Sequence, residues 1–281
     1  MSSTVGDRSP TIRRRLLAER LHQYRGRISR DVAAGAIGLT GTAITRFENA
    51  RTVPTERQLI GLLDLYGVEE PDRSLTIQLA HDASKFDWWQ SYREAVPEQF
   101  EMFFGLETEA RKLTSYELAV IPGLLQTPDY YRAYLETPPV ATADVEALIK
   151  FRMERKARRL RKGRIDIIID EAVLHRTVGS REIMEAQFEH IIELGESHRN
   201  LSIRILPFDA GAHHGMNGSF MLMTFDPHIA GPVLYTESCV DGRFIEDPEA
   251  IRRYTLIIDH LRQLALSKED SLTLLGRGVP T

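Results

Sequence analysis

The fold class predicted is multidomain: an all-α helix-turn-helix bundle, then an α+β domain with a roughly five-stranded mixed sheet and packed helices. Three observations predict it. Two short helical patterns joined by a glycine turn occupy residues 28–49. Strand-like runs alternate with helical patterns from residue 113 onward. The charge also changes sign along the chain. Arg8 to Val53 holds ten Arg and three acids, Glu19, Asp31 and Glu48. With −4 for the whole chain and −1 for residues 1–7, residues 54–281 carry −10. The expected division is a disordered arm at 1–9, a helix-turn-helix domain at 10–70, a linker helix at 71–85 and a regulatory and dimerisation domain at 86–276.

A first helix is expected over residues 10–24. Pro10 suits its first turn, and Leu17, Leu21 and Tyr24 recur at helical spacing. Ser29 then opens a helix striped by Ala33, Ala34 and Ile37, whose small residues let a neighbour approach closely. Gly38 supplies a turn at positive φ. Thr40 caps the next helix, which buries Ile44 and Phe47. Its outward positions are Gly41, Thr42, Ala43, Thr45 and Arg46, short or hydrogen-bonding groups suited to a major groove. A further helix over residues 54–66 is opened by Pro54-Thr55, carries Leu59, Leu62, Leu63 and Tyr66, and closes at Gly67. Basic flanks around this bundle are the electrostatic footprint of a phosphate binder.

Ser29-Arg30, Ala34, Gly38, Thr40, Ile44, Phe47, Glu48, Asn49 and Ala50 resemble the lambda-repressor/Cro (XRE) type of helix-turn-helix. Two positions depart from that pattern. Arg30 stands where Gln is usual, and Ala50 stands where Gly is usual, so the turn there tolerates a Cβ. The resemblance implies that Thr42, Thr45 and Arg46 face base edges. It places Arg30, Thr40, Asn49 and Arg51 near phosphates. Arg46 alone can grip guanine with two hydrogen bonds.

The second domain starts with a mostly helical stretch at 74–112 that holds Phe86, Trp88, Trp89, Tyr92, Phe100, Phe103 and Phe104. Such aromatic density is more often core or dimer interface than ligand cage. A strand follows at Leu113–Ile121, a turn at Pro122-Gly123 and a short helix at Pro128–Leu135. A helix over 142–162, opened by Thr142, ends in a basic run. Lys150 to Arg164 has nine basic residues and one acid, Glu154. Such a run is usually a solvated face; contact with DNA phosphates or an acidic partner is the alternative. Ile165–Ile169 is apolar enough for a central strand buried on both faces. A helix at Ser180–His198, strands near Leu201–Leu206, Ser219–Phe225 and Val233–Glu237, and a helix at Pro248–Leu266 complete the domain.

Three strings in this half, Val120 to Tyr130, Asp170 to Arg176 and Leu206 to His213, resemble the C-terminal domain of a large actinobacterial regulator family. Its members join an XRE-type helix-turn-helix to an antitoxin-like domain. The resemblance implies a transcription regulator, and a small partner protein encoded nearby that binds the second domain.

Other classes lose ground on composition. No apolar run reaches the length of a membrane span. The polar start, Met1 to Pro10, lacks the apolar segment of a secretion signal. A single cysteine, Cys239, excludes an internal disulfide and a Cys-based zinc site, which fits a reducing cytoplasm. Alone, Cys239 reads as a packed small residue. His213, His214, Asp170, Glu171 and Glu237 could supply a metal or acid–base site. However, HExxH, a phosphate-binding glycine loop and GxSxG are all missing, so no enzyme, metal or cofactor is expected. Asp170-Glu171 suits the positive end of a short helix.

Three functional classes follow. The first is a DNA-binding regulator that dimerises on a palindromic operator in the nucleoid. The second is an antitoxin-like module that neutralises a small protein and represses itself. The third is a ligand receptor or enzyme fused to a DNA-binding domain. Trp88, Trp89, Tyr92, Tyr130, Tyr131 and His213 are the candidates for a ligand or partner site in the second half.

Overall fold

The computed structural model describes residues 10–84, 88–92, 94, 100–138, 144–227, 230–238 and 242–278. The arm at 1–9, Phe86, Thr142 and Cys239 lie outside the described residues. The chain divides into two compact units, the first running to Ser91 and also holding Glu101–Glu109, the second holding the remainder.

The first unit is all helical. Its elements are α1 (Pro10–Arg25), α2 (Arg30–Ala36), α3 (Gly41–Glu48), α4 (Glu56–Leu65), α5 (Asp72–Ala83) and α6 (Glu101–Glu109). The local signals explain the boundaries. Ser29 accepts a hydrogen bond from the Val32 N–H at 3.2 Å and caps α2. Gly38 takes φ 68°, the left-handed turn that lets α3 fold back on α2. Thr55 and Gln58 form a reciprocal capping box on α4. Leu17, Leu21, Ala33, Ala34, Ile44, Phe47, Leu59, Leu62 and Leu63 make one core. An isolated eight-residue helix like α3 would not hold in water. Full burial of Ile44, with Phe47 nearly so, contributes about 2 kcal/mol per side chain and holds it. The segment 71–85, read from sequence as a linker helix, contains α5. Leu79, Ala80 and Ala83 of α5 are buried in the same core.

The second unit is built on a sheet of six strands. They are β1 (Lys112–Glu117), β2 (Arg164–Asp170), β3 (Leu201–Leu206), β4 (Phe220–Thr224), β5 (Val233–Glu237) and β6 (Gly242–Ile245). The order is β3-β2-β1-β4-β5-β6. β1, β2 and β3 are mutually parallel; β4, β5 and β6 are each antiparallel to the preceding neighbour. The sheet therefore has six strands and not five. The additional one, β6, is a short edge strand whose residues are all partly or fully exposed, so it carries no apolar pattern. β2 is buried from Ile165 to Asp170, as expected of a strand flanked on both sides and covered on both faces.

Helices α7 (Pro128–Leu135), α8 (Val145–Leu160), α9 (Ala172–His175), α10 (Arg181–Ser197), α11 (Pro248–Leu264) and α12 (Lys268–Leu275) surround the sheet. α8 is opened by Asp144, whose carboxylate accepts the Ala147 N–H at 2.9 Å. α11 sets Ile258 and Leu261 against Tyr116, Ile168, Phe220, Leu222 and Leu234 on one sheet face. α12 covers the free edge of β3. Ser271 Oγ accepts the Ile205 N–H at 2.9 Å, and Lys268 Nζ donates to the Leu201 carbonyl at 3.2 Å. An unpaired strand edge invites pairing with another chain; here it is closed.

Candidate nucleic-acid interface

α2, the Gly38 turn and α3 set the interface. α3 buries Ile44 and Phe47 and leaves Thr42 and Arg46 exposed. The Asp31 carboxylate lies against Gly41 at the N-terminus of α3, where negative charge is favourable. Arg46 makes no side-chain hydrogen bond or ion pair with the described residues. Its five N–H donors are open to a partner.

The neighbouring side chains divide the work. Thr45 is half-buried, and its hydroxyl donates to the Gly41 carbonyl at 3.1 Å. It therefore keeps only acceptor capacity and a methyl group for a base edge. Thr40 occupies the N-cap position of α3 but forms no side-chain cap, so its exposed hydroxyl is unspent. Asn49 ends α3 and is exposed. Arg51 is exposed, and its backbone N–H is held by the Arg46 carbonyl at 2.9 Å. Arg30 is about half exposed and donates Nε to Glu48 Oε2 at 3.0 Å, leaving its terminal nitrogens free. Arg30 belongs to α2, Thr40 to Arg46 form the cap and body of α3, and Asn49 and Arg51 follow its end.

Glu48 is the residue that sequence reasoning did not single out for a role. Its side chain is 3% exposed and receives Arg25, Arg30 at 3.0 Å and His22 at 3.5 Å. Burial raises the pKa of this carboxyl, but the hydrogen bonds from Arg25 and Arg30, with Arg25's charge, outweigh it. The net position is below the usual carboxylate value. The same ion pair holds the Arg25 guanidinium above its ordinary value. Beside them, burial pushes the Tyr66 hydroxyl up to about 12, so it stays neutral. Two sequence signals pointed to Glu48: it is one of three acids in a strongly basic stretch, and it is one of the positions that carry the helix-turn-helix resemblance. After it, Ala50 sits at φ 57°, the position where the resembled family uses Gly. The backbone demands the left-handed region there, and the Cβ is tolerated under strain.

The candidate ligand or partner residues are divided between the two units. Trp88 and Trp89 belong to the first unit and pack edge to face, 5.9 Å apart. Tyr92 belongs to the second; its hydroxyl donates to Glu154 on α8 at 2.7 Å. Tyr131 lies under the Arg152 guanidinium at 3.6 Å, and the buried Tyr130 hydroxyl accepts the Ile121 N–H at 3.1 Å. His213 sits elsewhere, with Nε2 3.6 Å from Asp170 Oδ2, which also accepts the Tyr116 hydroxyl at 2.8 Å. Asp170 Oδ1 accepts the Ala172 N–H at 3.0 Å, so this acid caps the short α9 as well.

The basic run on α8 is not simply a solvated face. Arg152 Nη1 donates to Gln126 Oε1 at 2.6 Å, and Lys156 Nζ to the Gln126 carbonyl at 2.9 Å. Burial lowers the Lys156 ammonium to about 8. Arg159 is 3% exposed and donates to the carbonyls of Lys162 and Arg164. Positions 152, 156 and 159 lie on one helix face, and that face is turned inward. The loop from Ile121 to Thr127 is thus tied to α8, and Gln187 of α10 grips it from Leu125 O and Thr127 N. Among the described residues, no three His, Cys, Asp or Glu side chains assemble into a metal-binding group. No helix among them is long and apolar enough to cross a membrane.

Comparison with known families bears on both units. Residues 16–75 match a helix-turn-helix domain, the unit of DNA-binding regulators. Searches against curated proteins and against solved structures gave no match. Residues 100–277 match a domain of unknown function, DUF5753, over more than half of the chain, and the protein therefore belongs to the DUF5753 family.

Proposed function

We propose that this protein is a sequence-specific transcriptional regulator of the XRE type that binds a palindromic operator as a homodimer in the cytoplasm. It acts by binding and not by catalysis, with no metal or cofactor. α3 enters the major groove, with Arg46 and Thr42 at base edges and Thr45 as an acceptor and methyl contact. Arg30, Thr40, Asn49 and Arg51 hold phosphates. The observation that carries the reading is Arg46: an exposed guanidinium without a side-chain partner among the described residues, on the outer face of a helix pinned by Ile44 and Phe47.

Dimerisation follows from energetics. One helix-turn-helix makes few phosphate contacts and binds weakly. Two copies on a two-fold axis read half-sites about 34 Å apart, and the linked second contact raises affinity steeply. The DUF5753 half supplies the second copy and takes the signal, an effector or a small partner protein, that switches binding.

Selection of bound sequences from a random duplex pool tests this. The wild type should enrich an inverted repeat, and Arg46→Ala should lose discrimination at one guanine in each half-site, worth about 1–3 kcal/mol. Equal enrichment of the same motif by Arg46→Ala would remove α3 from the groove.

A further inference from the structure

The direction of the sheet reverses beside β1. From β1 the chain moves outward to β2 and β3, returns to the other side of β1 as β4, and leaves through β5 and β6. The β3–β4 connection crosses the carboxyl end of β1, with Gly215 against the Tyr116 ring and Ser219 Oγ accepting the Leu118 N–H at 3.0 Å. At that edge β1 ends in Glu117, β4 begins after Ser219 and β5 ends in Glu237. A cleft of about 900 Å³ lies against it, walled by the loop before β4, the end of β5 and the first half of α11. That volume suits a small-molecule site.

The chemistry of the walls is divided. Phe220 and Tyr254 meet edge to face with centroids 4.9 Å apart, and Leu256 and Ile257 extend this apolar side. Leu256 is 66% exposed, a large apolar group left in water. Two of the acids in the cleft are already engaged. Asp247 caps α11 by accepting the Ala250 N–H at 2.8 Å, and Glu249 pairs with Arg252 at 3.9 Å. Arg253, exposed on the same helix, makes no side-chain bond with the described residues. Glu237 lines the same cleft as its remaining carboxylate, and its charge reaches Glu117 at the end of β1. Burial raises the Glu237 carboxyl against the opposing charges of Arg155 and Arg152. Burial also pushes Glu117 up to about 8, with the charge of Glu237 adding to the effect. A cation at this end would relieve both acids.

We propose that this cleft binds a small α-amino acid with an apolar side chain, its ammonium on Glu237, its carboxylate on Arg253 and its side chain on the Phe220–Tyr254–Leu256 wall. His214 lines the cleft as a further donor to the carboxylate. The site is independent of the DNA-binding reading, since it lies wholly in the second unit and is assayed without DNA.

Isothermal titration of the full-length protein tests it. The probes are L-leucine, L-phenylalanine and L-tryptophan, with phenethylamine lacking the carboxylate and 3-phenylpropanoate lacking the amine. At least one amino acid should bind saturably, and both analogues should bind about tenfold more weakly or worse. Glu237→Gln and Arg253→Ala should each weaken the amino acid by about tenfold. Arg253→Ala should leave the residual affinity for phenethylamine unchanged. Both residues are reached by solvent in the cleft, and an unchanged thermal midpoint would confirm that the variants fold. Absence of saturable heat with all three amino acids would overturn the proposal. So would equal affinity for an analogue lacking one charge, or indifference to both substitutions.

Discussion

Arg25 and Glu48 join the end of α1 to the end of α3 through a buried ion pair, with Arg30 of α2 on the second carboxylate oxygen. One acid thus fixes three helices, including the one proposed to enter DNA. Removing its charge leaves Arg25, only 10% exposed, without its main partner. Glu48→Gln should therefore cost about 3 kcal/mol of stability, since breaking one side of a buried pair strands the other charge. Urea unfolding followed by circular dichroism measures it. A loss below about 0.5 kcal/mol would show that the pair behaves as a surface contact.

The same carboxyl sets a pH dependence, together with Asp166 in the sheet. Burial raises Asp166, but the hydrogen bond and charge of Lys112, with Arg164 and Arg262, hold it below its ordinary value. Arg262 of α11 reaches it at 3.1 Å. A carboxyl depressed on folding contributes stability that is complete above its unfolded pKa, near 4, and is lost as pH falls through the lower folded value. Stability should thus fall from about pH 5 downward. Glu48→Gln and Asp166→Asn should each flatten that limb. Unfolding midpoints that do not change between neutral pH and pH of about 3 would contradict the assignment.

Ala50 offers a gain of stability. A Cβ at φ 57° costs about 1–2 kcal/mol relative to glycine, against which glycine loses up to about 1 kcal/mol through its freer unfolded chain. Ala50→Gly should stabilise the protein by about 0.5–1 kcal/mol, read as a higher thermal midpoint. A lower midpoint would show that the surrounding turn has already relaxed the strain.

How much of this could be read in the sequence depended on whether a residue's role was local. Ser29, Gly38 and Thr55 act on their own neighbours, and their effects were visible in spacing alone. So was β2, where five nearly unbroken apolar residues forecast burial on both faces. β6 could not be read, because an edge strand of four partly exposed residues owes its pairing to β5 and not to its own pattern. Nor could the inward face of α8: Arg152 and Lys156 resemble a solvated stripe until Gln126, 26 and 30 residues earlier, arrives to accept their hydrogen bonds, while Arg159 turns back to the carbonyls of Lys162 and Arg164. Glu48 and Asp170 belong to the same class. Their partners lie 23 and 54 residues away, and no short-range pattern announces them. Of the interface, the exposure of Thr42 and Arg46 was legible from periodicity. The spent hydroxyl of Thr45 was not.

Ser271 guards the edge of β3 with one oxygen. It is fully buried, accepts the Ile205 N–H at 2.9 Å and donates to the Ser267 carbonyl at 2.6 Å. Ser271→Ala removes the acceptor and leaves a buried backbone N–H unmet, a cost of about 1–3 kcal/mol. Hydrogen exchange should show it most directly: the Ile205 amide should lose protection more than its neighbours in β2. Unchanged protection at Ile205 would mean that another acceptor replaces the hydroxyl.

Arg46 and Arg51 are two exposed cations five residues apart with opposite expected signatures. Arg46 extends from the outer face of α3, so its loss should erase preference at one base pair and spare non-specific binding. Arg51 stands beyond the helix end, in the turn that Ala50 closes, and is assigned to a phosphate. Losing a phosphate contact releases one counterion fewer on binding. Arg51→Ala should therefore weaken binding to operator and random duplex by the same factor, and lower the slope of log K against log salt by about 1 per protomer. Fluorescence anisotropy over a salt series distinguishes the two. If Arg51→Ala changed the preferred sequence while leaving the salt slope intact, the roles of the two arginines would have to be exchanged.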